Sequence, residues 1–387
     1  MSWNFISRDL QPIGLDIGHD SIKMIQLDIG DGQICVVAAD KVRIDSQVRS
    51  DEAMRRRFVI SAIQQMRDRG SFRGKAVISC VPNEQMRITS LRLSESGRDE
   101  VEQALRKEVT QRFGLRPDRD SMDYIVAGPV RQGDEIKNEL ILFAVDSPTI
   151  ENHVKMLEEA KLRPVAIDTM PGALFRSFER VLRRQEDKER ILVFVDVGSS
   201  STVVVFGDRG EISFVKHIPI GGQRFANEIA SRLGVGLEQA ERLRRILHRG
   251  KNATVGESAA SVPGSVGDGS KMDASTRQVI VDAISSIAEE LARQVSRCLR
   301  YYTVTFRGKR IERVYMTGGE AYEGILVNVF RRQLPVDVEV GQPLKGFDLS
   351  AEGATINFDS DRRGLLCEWA VAVGLGLKGQ KLSAVIS

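Results

Sequence analysis

Two aspartates, each followed two positions later by a glycine, are the residues of this sequence best suited to chemistry on an anion. Asp16 and Gly18 follow one apolar run, and Asp196 and Gly198 follow another. A tight turn at the end of a strand points successive backbone N–H groups into one concavity that holds an anion, and glycine lets a phosphate approach closely. Because an aspartate would repel bare phosphate, the pattern also predicts a hard divalent cation, usually bound through water.

The two segments follow one pattern, half a chain apart. "IGLDIGHDSIKMIQLDIGDGQICVV" begins at Ile13, and "VFVDVGSSSTVVVFGDRGEISFV" begins at Val193. When the aspartates are aligned, further small residues coincide, the last pair after a two-residue gap: Gly18 with Gly198, Ser21 with Ser201, and Gly32 with Gly210. Such a repeat indicates a duplicated domain core. Two hairpins of this kind, facing each other, would bind one nucleoside triphosphate from both sides; two unrelated β-hairpins are the alternative.

Two further segments have the residue types of a nucleotide site. "IERVYMTGGEAYEGIL", which begins at Ile311, predicts a strand, a pair of glycines and the start of a helix. Glu241 and Arg244 lie three residues apart in "GLEQAERLRRIL", so they share one face of the predicted helix. An ordinary solvated ion pair explains this spacing equally well.

Composition and charge narrow the class of protein. The chain has 387 residues, 28% of them charged, and a net charge of +3, which is typical of a soluble globular protein of about two to four domains. So small a charge does not support nucleic-acid binding, which needs a concentrated basic face. The four cysteines lack metal-binding or redox spacing, which favours a reducing compartment. No stretch reaches the roughly 18 apolar residues of a membrane span. We therefore expect a cytoplasmic protein.

The order of predicted elements places an insertion in the first half of the chain. "KAVISCVPNEQMRITSLRL" predicts two strands separated by a turn, and a helix with an apolar stripe begins near Val101. Two strands with a turn at Gly133 and a second helix follow, before "RPVAIDTMPGALFRSF" returns to the core. Residues 250–274 are rich in Gly, Ser and Ala and predict a flexible loop. The next helix has an apolar stripe from Val279 to Leu299.

The aspartate and glycine segments resemble the phosphate-1, phosphate-2 and adenosine motifs of the actin-like ATPase fold, shared by actin, sugar kinases, DnaK-type chaperones and FtsA. The insertion resembles that of FtsA. The phrases "LRKEVTQRFGL", "VKMLEEAKLRPVAID", "RVYMTGGEAYEGI" and "WAVAVGLGLKG" are more similar, in content and order, to the PilM family of type IV pilus assembly. The likeness extends from Ile13 to about Gly379. It implies an α/β chain with the actin-like ATPase fold, a duplicated RNase H-like core and an inserted subdomain of the FtsA/PilM type.

The resemblance also implies subdomain boundaries. Subdomain 1A is expected at 1–82 and 163–190, and the inserted subdomain 1C at 83–162. Subdomain 2A is expected at 191–220 and 311–364, and subdomain 2B, with the loop at 250–274, at 221–310. Residues 365–387 are expected to form a C-terminal helix that returns to subdomain 1A.

ATP and Mg²⁺ are the cofactors that the resemblance implies. Asp16 and Asp196 are expected to hold the hydrated metal and, if ATP is slowly hydrolysed, to be the catalytic residues. Glu241 and Arg244 match the E-x-x-K pair that packs on adenine in the family, with Arg in place of Lys. Together with the two turns and the adenosine motif, the resemblance implies these further residues at the nucleotide: Gly18, His19, Asp20, Ser21, Lys23, Gly198, Ser199, Ser200, Ser201, Thr202, Glu241, Arg244, Gly318, Gly319 and Glu320.

Three of these residues depart from the small or hydroxyl residues that are usual in the family. His19 is expected either to donate to a phosphate or to be a partly exposed loop residue. Asp20 either helps to hold the metal or weakens binding by adding negative charge. Glu320 places a carboxylate beside the adenosine glycines, and its effect on nucleotide binding stays open.

The function implied is that of an ATP-binding scaffold in type IV pilus assembly, or in a related type II secretion system. Its expected partner is the cytoplasmic N-terminal peptide of a PilN-like inner-membrane protein, so its contact with the membrane would be indirect. Candidate groove residues lie around Met86–Leu93 and on the helix from Val101. An FtsA-like division or filament-forming protein is the main alternative. A small-molecule kinase with Asp168 as base is a weaker one, and homo-oligomerisation stays open.

Overall fold

The computed structural model describes residues 9–30, 33–94, 97–179, 191–252, 272–306, 310–358 and 365–386. Gly32 of the predicted repeat and residues 253–271 of the predicted loop lie outside these ranges. The strands described are β1 (Asp9–Leu10), β2 (Ile13–Ile17), β3 (Ser21–Gly30), β4 (Gln33–Arg43), β5 (Ala76–Cys80), β6 (Arg87–Ser94), β7 (Ser121–Gln132), β8 (Glu135–Val145), β9 (Arg163–Asp168), β10 (Ile191–Val197), β11 (Thr202–Asp208), β12 (Glu211–Ile218), β13 (Ile311–Thr317), β14 (Asp337–Val340) and β15 (Thr355–Ile356). The α-helices described are α1 (Ser46–Arg49), α2 (Glu52–Arg69), α3 (Arg98–Phe113), α4 (Ser147–Glu159), α5 (Met170–Phe178), α6 (Gly222–Leu233), α7 (Leu237–Asn252), α8 (Ala274–Thr305), α9 (Gly324–Gln333) and α10 (Ala370–Ile386).

Two sheets repeat one strand order. The first runs β15-β4-β3-β2-β5-β9, with β1 paired to β3, and the second runs β12-β11-β10-β13-β14. In each sheet the central strand, β2 or β10, pairs antiparallel with the next strand and parallel with a later one. Strands flanked on both sides and covered on both faces favour continuous apolar runs, as these two have. The duplicated α/β core predicted from the sequence repeat is confirmed.

A third sheet is inserted between β5 and β9 of the first. Its order is β6-β8-β7, and both pairings are antiparallel. Helix α3 covers one face, where Leu105 and Val109 pack with Leu142 and Ala144. Phe143 belongs instead to the large apolar cluster of the second half, and β7 packs against β12. Helix α4 packs on α2 and β9 of the first half.

The helix predicted with an apolar stripe is α8. Its buried side chains recur at three- and four-residue spacing, which presents one continuous face to the second sheet: Ile280, Ala283, Ile284, Ile287, Leu291, Val295 and Leu299. None of the helices in the described ranges combines the length and hydropathy that a bilayer span requires.

Helix α10 lies very close to the first half of the chain. A Cβ atom added at Gly14 in β2 would overlap the carbonyl oxygen of Ala372, and one added at Gly374 would overlap that of Ala173 in α5. Backbone atoms cannot rotate out of the way as a side chain can. Glycine at these positions therefore sets the distance between α10, the sheet and α5.

We expect Gly374→Ala to lower the free energy of unfolding by about 3 kcal/mol, because overpacking against backbone outweighs a gain in helix propensity of about 1 kcal/mol. Gly97→Ala is the control, since nothing lies within 4 Å of a Cβ atom there; it should cost less than about 1 kcal/mol. Urea unfolding followed by circular dichroism measures both. Equal midpoints for the two variants would contradict the close packing of α10.

Candidate functional site

A cleft of about 1800 Å³ lies between the two halves of the molecule, and residues of both halves line it. The carboxyl ends of β2 and β10 meet there, at the sheet edge where α/β proteins bind ligands. The predicted site residues that line the cleft are Asp16, Gly18, His19, Asp20, Ser21, Lys23, Asp196, Gly198, Ser199, Ser200, Ser201, Glu241, Arg244, Gly318, Gly319 and Glu320. Thr202 is fully buried, and its hydroxyl donates to the carbonyl oxygen of Ile220 at 2.6 Å.

Each Asp-x-Gly segment folds into the same turn. The N–H of Gly18 donates to the carbonyl oxygen of Ser21 at 2.9 Å, and the N–H of Gly198 donates to that of Ser201 at 2.9 Å. A Cβ atom on either glycine would press on the same serine oxygen, at 3.0 Å and 3.2 Å. Arg55 of α2 supports the first turn by donating to the carbonyl oxygen of Gly18 at 2.7 Å. The sequence repeat is therefore also a repeat of backbone geometry.

The two aspartates have different environments. Asp16 forms an ion pair with Lys23, and the distance between Asp16 Oδ2 and Lys23 Nζ is 3.0 Å. Burial acts to lower the pKa of Lys23, but the carboxylates of Asp16 and Glu368 outweigh it and raise that pKa. Asp196 is buried and accepts a hydrogen bond from the Thr317 hydroxyl at 2.9 Å. Burial, opposed by that bond and reinforced by the charge of Asp16, raises the pKa of Asp196 to about 6. Within the described ranges, no group of three or more His, Cys, Asp or Glu side chains converges as a direct metal site.

Backbone segments of the second half pack tightly around the Asp196 turn. Gly318, after β13, has a φ of +86°, and a Cβ atom there would lie 2.5 Å from the carbonyl oxygen of Val197. A Cβ atom at Gly221 would lie 2.6 Å from the carbonyl oxygen of Gly198. A left-handed φ and so close an approach both require glycine at position 318. The contact with Val197 fixes Gly318 of the adenosine motif against the start of the second turn.

Arg244 and Glu320, two predicted nucleotide contacts, bind each other. The Arg244 guanidinium forms a short ion pair with Glu320 and lies 3.4 Å from Glu323. It also lies 4.8 Å from the centroid of the Phe225 ring. The side chains of Arg244 and Glu320 are only 11% and 16% exposed, and buried charges are tolerated when paired in this way. Arg244, at the position where the resemblance leads us to expect lysine, thus compensates the charge of Glu320, at a position where it leads us to expect a small residue.

Side-chain contacts join the first half of the chain to the second across the cleft. Arg49 of α1 donates to both carboxylate oxygens of Glu241 in α7, at 2.9 Å and 3.0 Å. His19 of the first turn lies 3.3 Å from the side-chain nitrogen of Gln223 in α6. Burial and the nearby Arg49 lower the pKa of His19. Glu241 and Arg244, predicted as a pair at adenine, therefore have separate partners, and their role at the base stays a prediction.

Glu84 is a cleft residue that the sequence patterns did not indicate. Its Oε1 accepts hydrogen bonds from the hydroxyls of Ser200, at 2.5 Å, and Ser201, at 3.0 Å. It lies in the short 3₁₀ turn Asn83–Gln85 that follows β5. A signal was available, because a strand followed by a turn was predicted here, at the end of the first part of subdomain 1A, and residues after parallel strands reach one sheet edge.

Asp168, the candidate base of the kinase alternative, is engaged in the first half. Its Oδ2 binds Arg176 of α5 at 2.9 Å, and its Oδ1 binds Lys378 of α10 at 2.9 Å. Its side chain is 7% exposed. Both oxygens therefore have cationic partners, which favours a role in fixing α5 and α10 to the sheet.

The comparison with known families decides the identity of this fold. A sequence profile described as type IV pilus assembly protein PilM matches residues 14–254, which is more than half of the chain. The chain belongs to the PilM family. A profile described as cell division protein FtsA matches residues 193–357, so the predicted likeness to both families is confirmed.

Solved structures support the fold. A PilM-PilN type IV pilus biogenesis complex is similar over 95% of this chain and 98% of the other, with a TM-score of 0.71 and 21% identity. The ethanolamine utilization protein EutJ of Carboxydothermus hydrogenoformans is similar over 95% and 89%, with a TM-score of 0.51 and 14% identity. Identities this low show the fold alone, which is the predicted actin-like ATPase fold.

A curated relative matches part of the chain. It is the cell division protein FtsA of Bacillus subtilis (strain 168), which is 23% identical over 225 residues, or 58% of this chain. The match covers 49% of FtsA, so the chain spans about half the length of this relative.

We expect Gly222→Ala to lower the free energy of unfolding by about 2 kcal/mol. A Cβ atom at Gly222 would overlap the carboxylate of Glu320, which Arg244 holds in place. Gly324→Ala is the matched control, since Gly324 also begins a helix but has open space around it. In urea unfolding, Gly222→Ala combined with Glu320→Ala should cost less than the sum of the single changes. Full additivity would contradict the contact.

Proposed function

We propose that this chain is an ATP-binding scaffold of type IV pilus assembly, or of a related type II secretion system. The observation that carries the proposal is the pair of matching glycine turns, with Asp16 and Asp196, on opposite sides of one cleft. Membership of the PilM family supplies the pilus context. The chain would act in the cytoplasm, held at the inner membrane through its partner.

The phosphate side of the cleft fits a triphosphate with a hydrated divalent cation. The N–H groups of Gly18 and Gly198 close the two turns, and the backbone N–H groups that follow them, within 19–21 and 199–202, would receive the β- and γ-phosphates. Lys23 would add positive charge. Asp16 and Asp196 would hold the cation through its water shell. The bound cation would neutralise charge on the phosphates. Since burial raises the pKa of Asp196 to about 6, a nearby cation would favour its ionised form.

The base side is built from the adenosine-motif glycines and the ion pairs beyond them. Gly318 and Gly319 would let backbone lie against the ribose and α-phosphate. Glu241 and Arg244 line the cleft next to them, and we propose that adenine packs beside these side chains. The Arg244–Glu320 pair keeps the carboxylate at position 320 neutralised, so that it does not repel the phosphates.

The first turn has two further side chains near the phosphates. Because its pKa is lowered, the His19 ring is neutral at pH 7. A neutral imidazole still carries one N–H donor. We propose that His19 donates to a phosphate and that Asp20 contributes to holding the cation. Hydrolysis, where it occurs, would be slow, because a scaffold needs occupancy more than turnover.

We expect Asp196→Ala to weaken Mg²⁺-dependent ATP binding at least about tenfold, because the cation loses one of the carboxylates proposed to hold it. The cost in folding should be only about 1–2 kcal/mol, since the change leaves one buried hydroxyl, that of Thr317, without its acceptor. Calorimetric titration with Mg-ATP measures the affinity, and thermal unfolding checks the fold. Asp134→Ala, in the exposed turn between β7 and β8, is the control. An unchanged ATP affinity in a folded Asp196→Ala protein would contradict the site.

The proposed protein partner is the N-terminal cytoplasmic peptide of a PilN-like inner-membrane protein. Strand β6 (Arg87–Ser94) forms one edge of the inserted sheet, next to the face covered by α3. An edge strand has free backbone groups that an extended peptide can pair with, while side-chain pockets give specificity. This edge includes most of the predicted groove at Met86–Leu93. Because β7 of the same sheet packs on β12, closure of the cleft would move the groove.

We expect such a peptide and Mg-ATP to change each other's affinity by about fivefold or more, as two coupled sites do. Calorimetry with the peptide, with and without Mg-ATP, measures the coupling, and a scrambled peptide is the first control. Leu93→Glu, on β6, should abolish peptide binding, whereas Val304→Glu, on an exposed part of α8, should not. Binding of neither ligand would favour the second candidate, an FtsA-like filament-forming protein, which the FtsA match at residues 193–357 supports.

A further inference from the structure

The second phosphate turn already holds a carboxylate from the other half of the chain. Glu84 Oε1 accepts hydrogen bonds from the hydroxyls of Ser200, at 2.5 Å, and Ser201, at 3.0 Å. The two serines lie 116 and 117 positions after Glu84 in the sequence. These hydroxyls belong to the turn that Gly198 begins. Donors arranged to receive an anionic oxygen from a phosphate are therefore receiving one from a side chain.

The Glu84 side chain is an anion in this position. Burial acts to raise its pKa, but the hydrogen bonds from Ser200 and Ser201 lower it below its ordinary value. A carboxylate oxygen and a phosphate oxygen have the same charge sign and accept the same hydrogen bonds. Two anions cannot share these two hydroxyls without repulsion, so a phosphate that binds at the second turn must displace Glu84.

Glu84 is also close in sequence to the inserted sheet. The N–H groups of Gln85 and Met86 donate to the carbonyl oxygens of Pro82 and Asn83, at 3.0 Å and 3.1 Å, and close the short turn that carries Glu84. Met86 is buried in the large apolar cluster that the inserted sheet shares with the second half. Strand β6 begins at the next residue. Movement of Glu84 out of the second turn therefore acts directly on the start of β6.

We propose that Glu84 is an internal competitor for the terminal phosphate, and that its displacement couples nucleotide binding to the inserted sheet. The inference rests on the proposed nucleotide site. Glu84 holds the two halves together through Ser200 and Ser201. When a triphosphate takes those hydroxyls, the turn at Asn83–Gln85 is released and β6 is free to shift. Glu84 thus acts on the inserted sheet through the chain and is not a catalytic residue.

The test compares the wild type with Glu84→Gln, which keeps an amide oxygen as acceptor but removes the charge. Glu52→Gln is the matched control, because Glu52 lines the same cleft, is exposed and loses the same charge. If Glu84 occupies the turn about nine-tenths of the time, Glu84→Gln should bind Mg-ATP about tenfold more tightly. The gain should be smaller for Mg-ADP, which lacks the terminal phosphate. Glu52→Gln should change either affinity less than about twofold.

Hydrogen exchange at the Gln85 and Met86 amides is the second readout. Mg-ATP should speed their exchange in the wild type, whereas in Glu84→Gln without nucleotide their exchange should already be fast. Circular dichroism checks that every variant is folded.

The outcomes separate the inference from the function it rests on. The inference is supported if Glu84→Gln binds Mg-ATP more tightly, Glu52→Gln does not, and the exchange pattern is the one given above. Nucleotide binding by Glu84→Gln but not by the other proteins would also support it. If the wild type binds Mg-ATP and Glu84→Gln binds equally or more weakly, the competition is overturned and the nucleotide site stands. If no variant binds Mg-ATP or Mg-ADP, the proposed nucleotide site fails and the inference fails with it.

Discussion

Charge compensation inside the cleft is the constraint on which the rest of this structure depends. The cleft gathers carboxylates from both halves, and each removed from water needs a partner, because an unpaired buried charge costs several kcal/mol. Lys23 pairs with Asp16, and Arg244 pairs with Glu320 and Glu323. Asp196 accepts from a neutral hydroxyl instead, and its pKa rises to about 6 as a result of burial. The cation of the proposed function would place a positive charge beside Asp196 and favour its ionised form.

The same contacts join the two halves. Arg49 reaches Glu241, and Glu84 reaches Ser200 and Ser201. The inserted sheet adds an apolar connection where β7 packs on β12. A ligand shifts a conformational equilibrium only by its differential affinity for the two states. If the proposed nucleotide site is correct, exchange of the polar contacts across the cleft for phosphate contacts would supply that difference, and the inserted sheet would respond to it.

Glycine sets the distances that make this arrangement possible. The Gly18 and Gly198 turns fit beside serine oxygens, Gly318 rests on the end of β10, and Gly374 brings α10 onto α5. In each place backbone meets backbone, so no side-chain rotation can relieve an added methyl group. The C-terminal helix is further fixed by Lys378 on Asp168, which uses the carboxylate that a kinase would need as a base.

The sequence by itself determined the duplicated core, the turns at Gly18 and Gly198, and the apolar stripe of α8, because each is a local pattern of strand, turn or helix period. The tertiary structure alone decided which charges from distant parts of the sequence meet. Arg49 and Glu241 are 192 positions apart, and Arg244 and Glu320 are 76 apart. The sequence patterns did not indicate Glu84 as a cleft residue, although they predicted the strand before it. Side-chain partners that are distant in sequence depend on how the two sheets and their helices pack against each other, and no local periodicity encodes that relative placement.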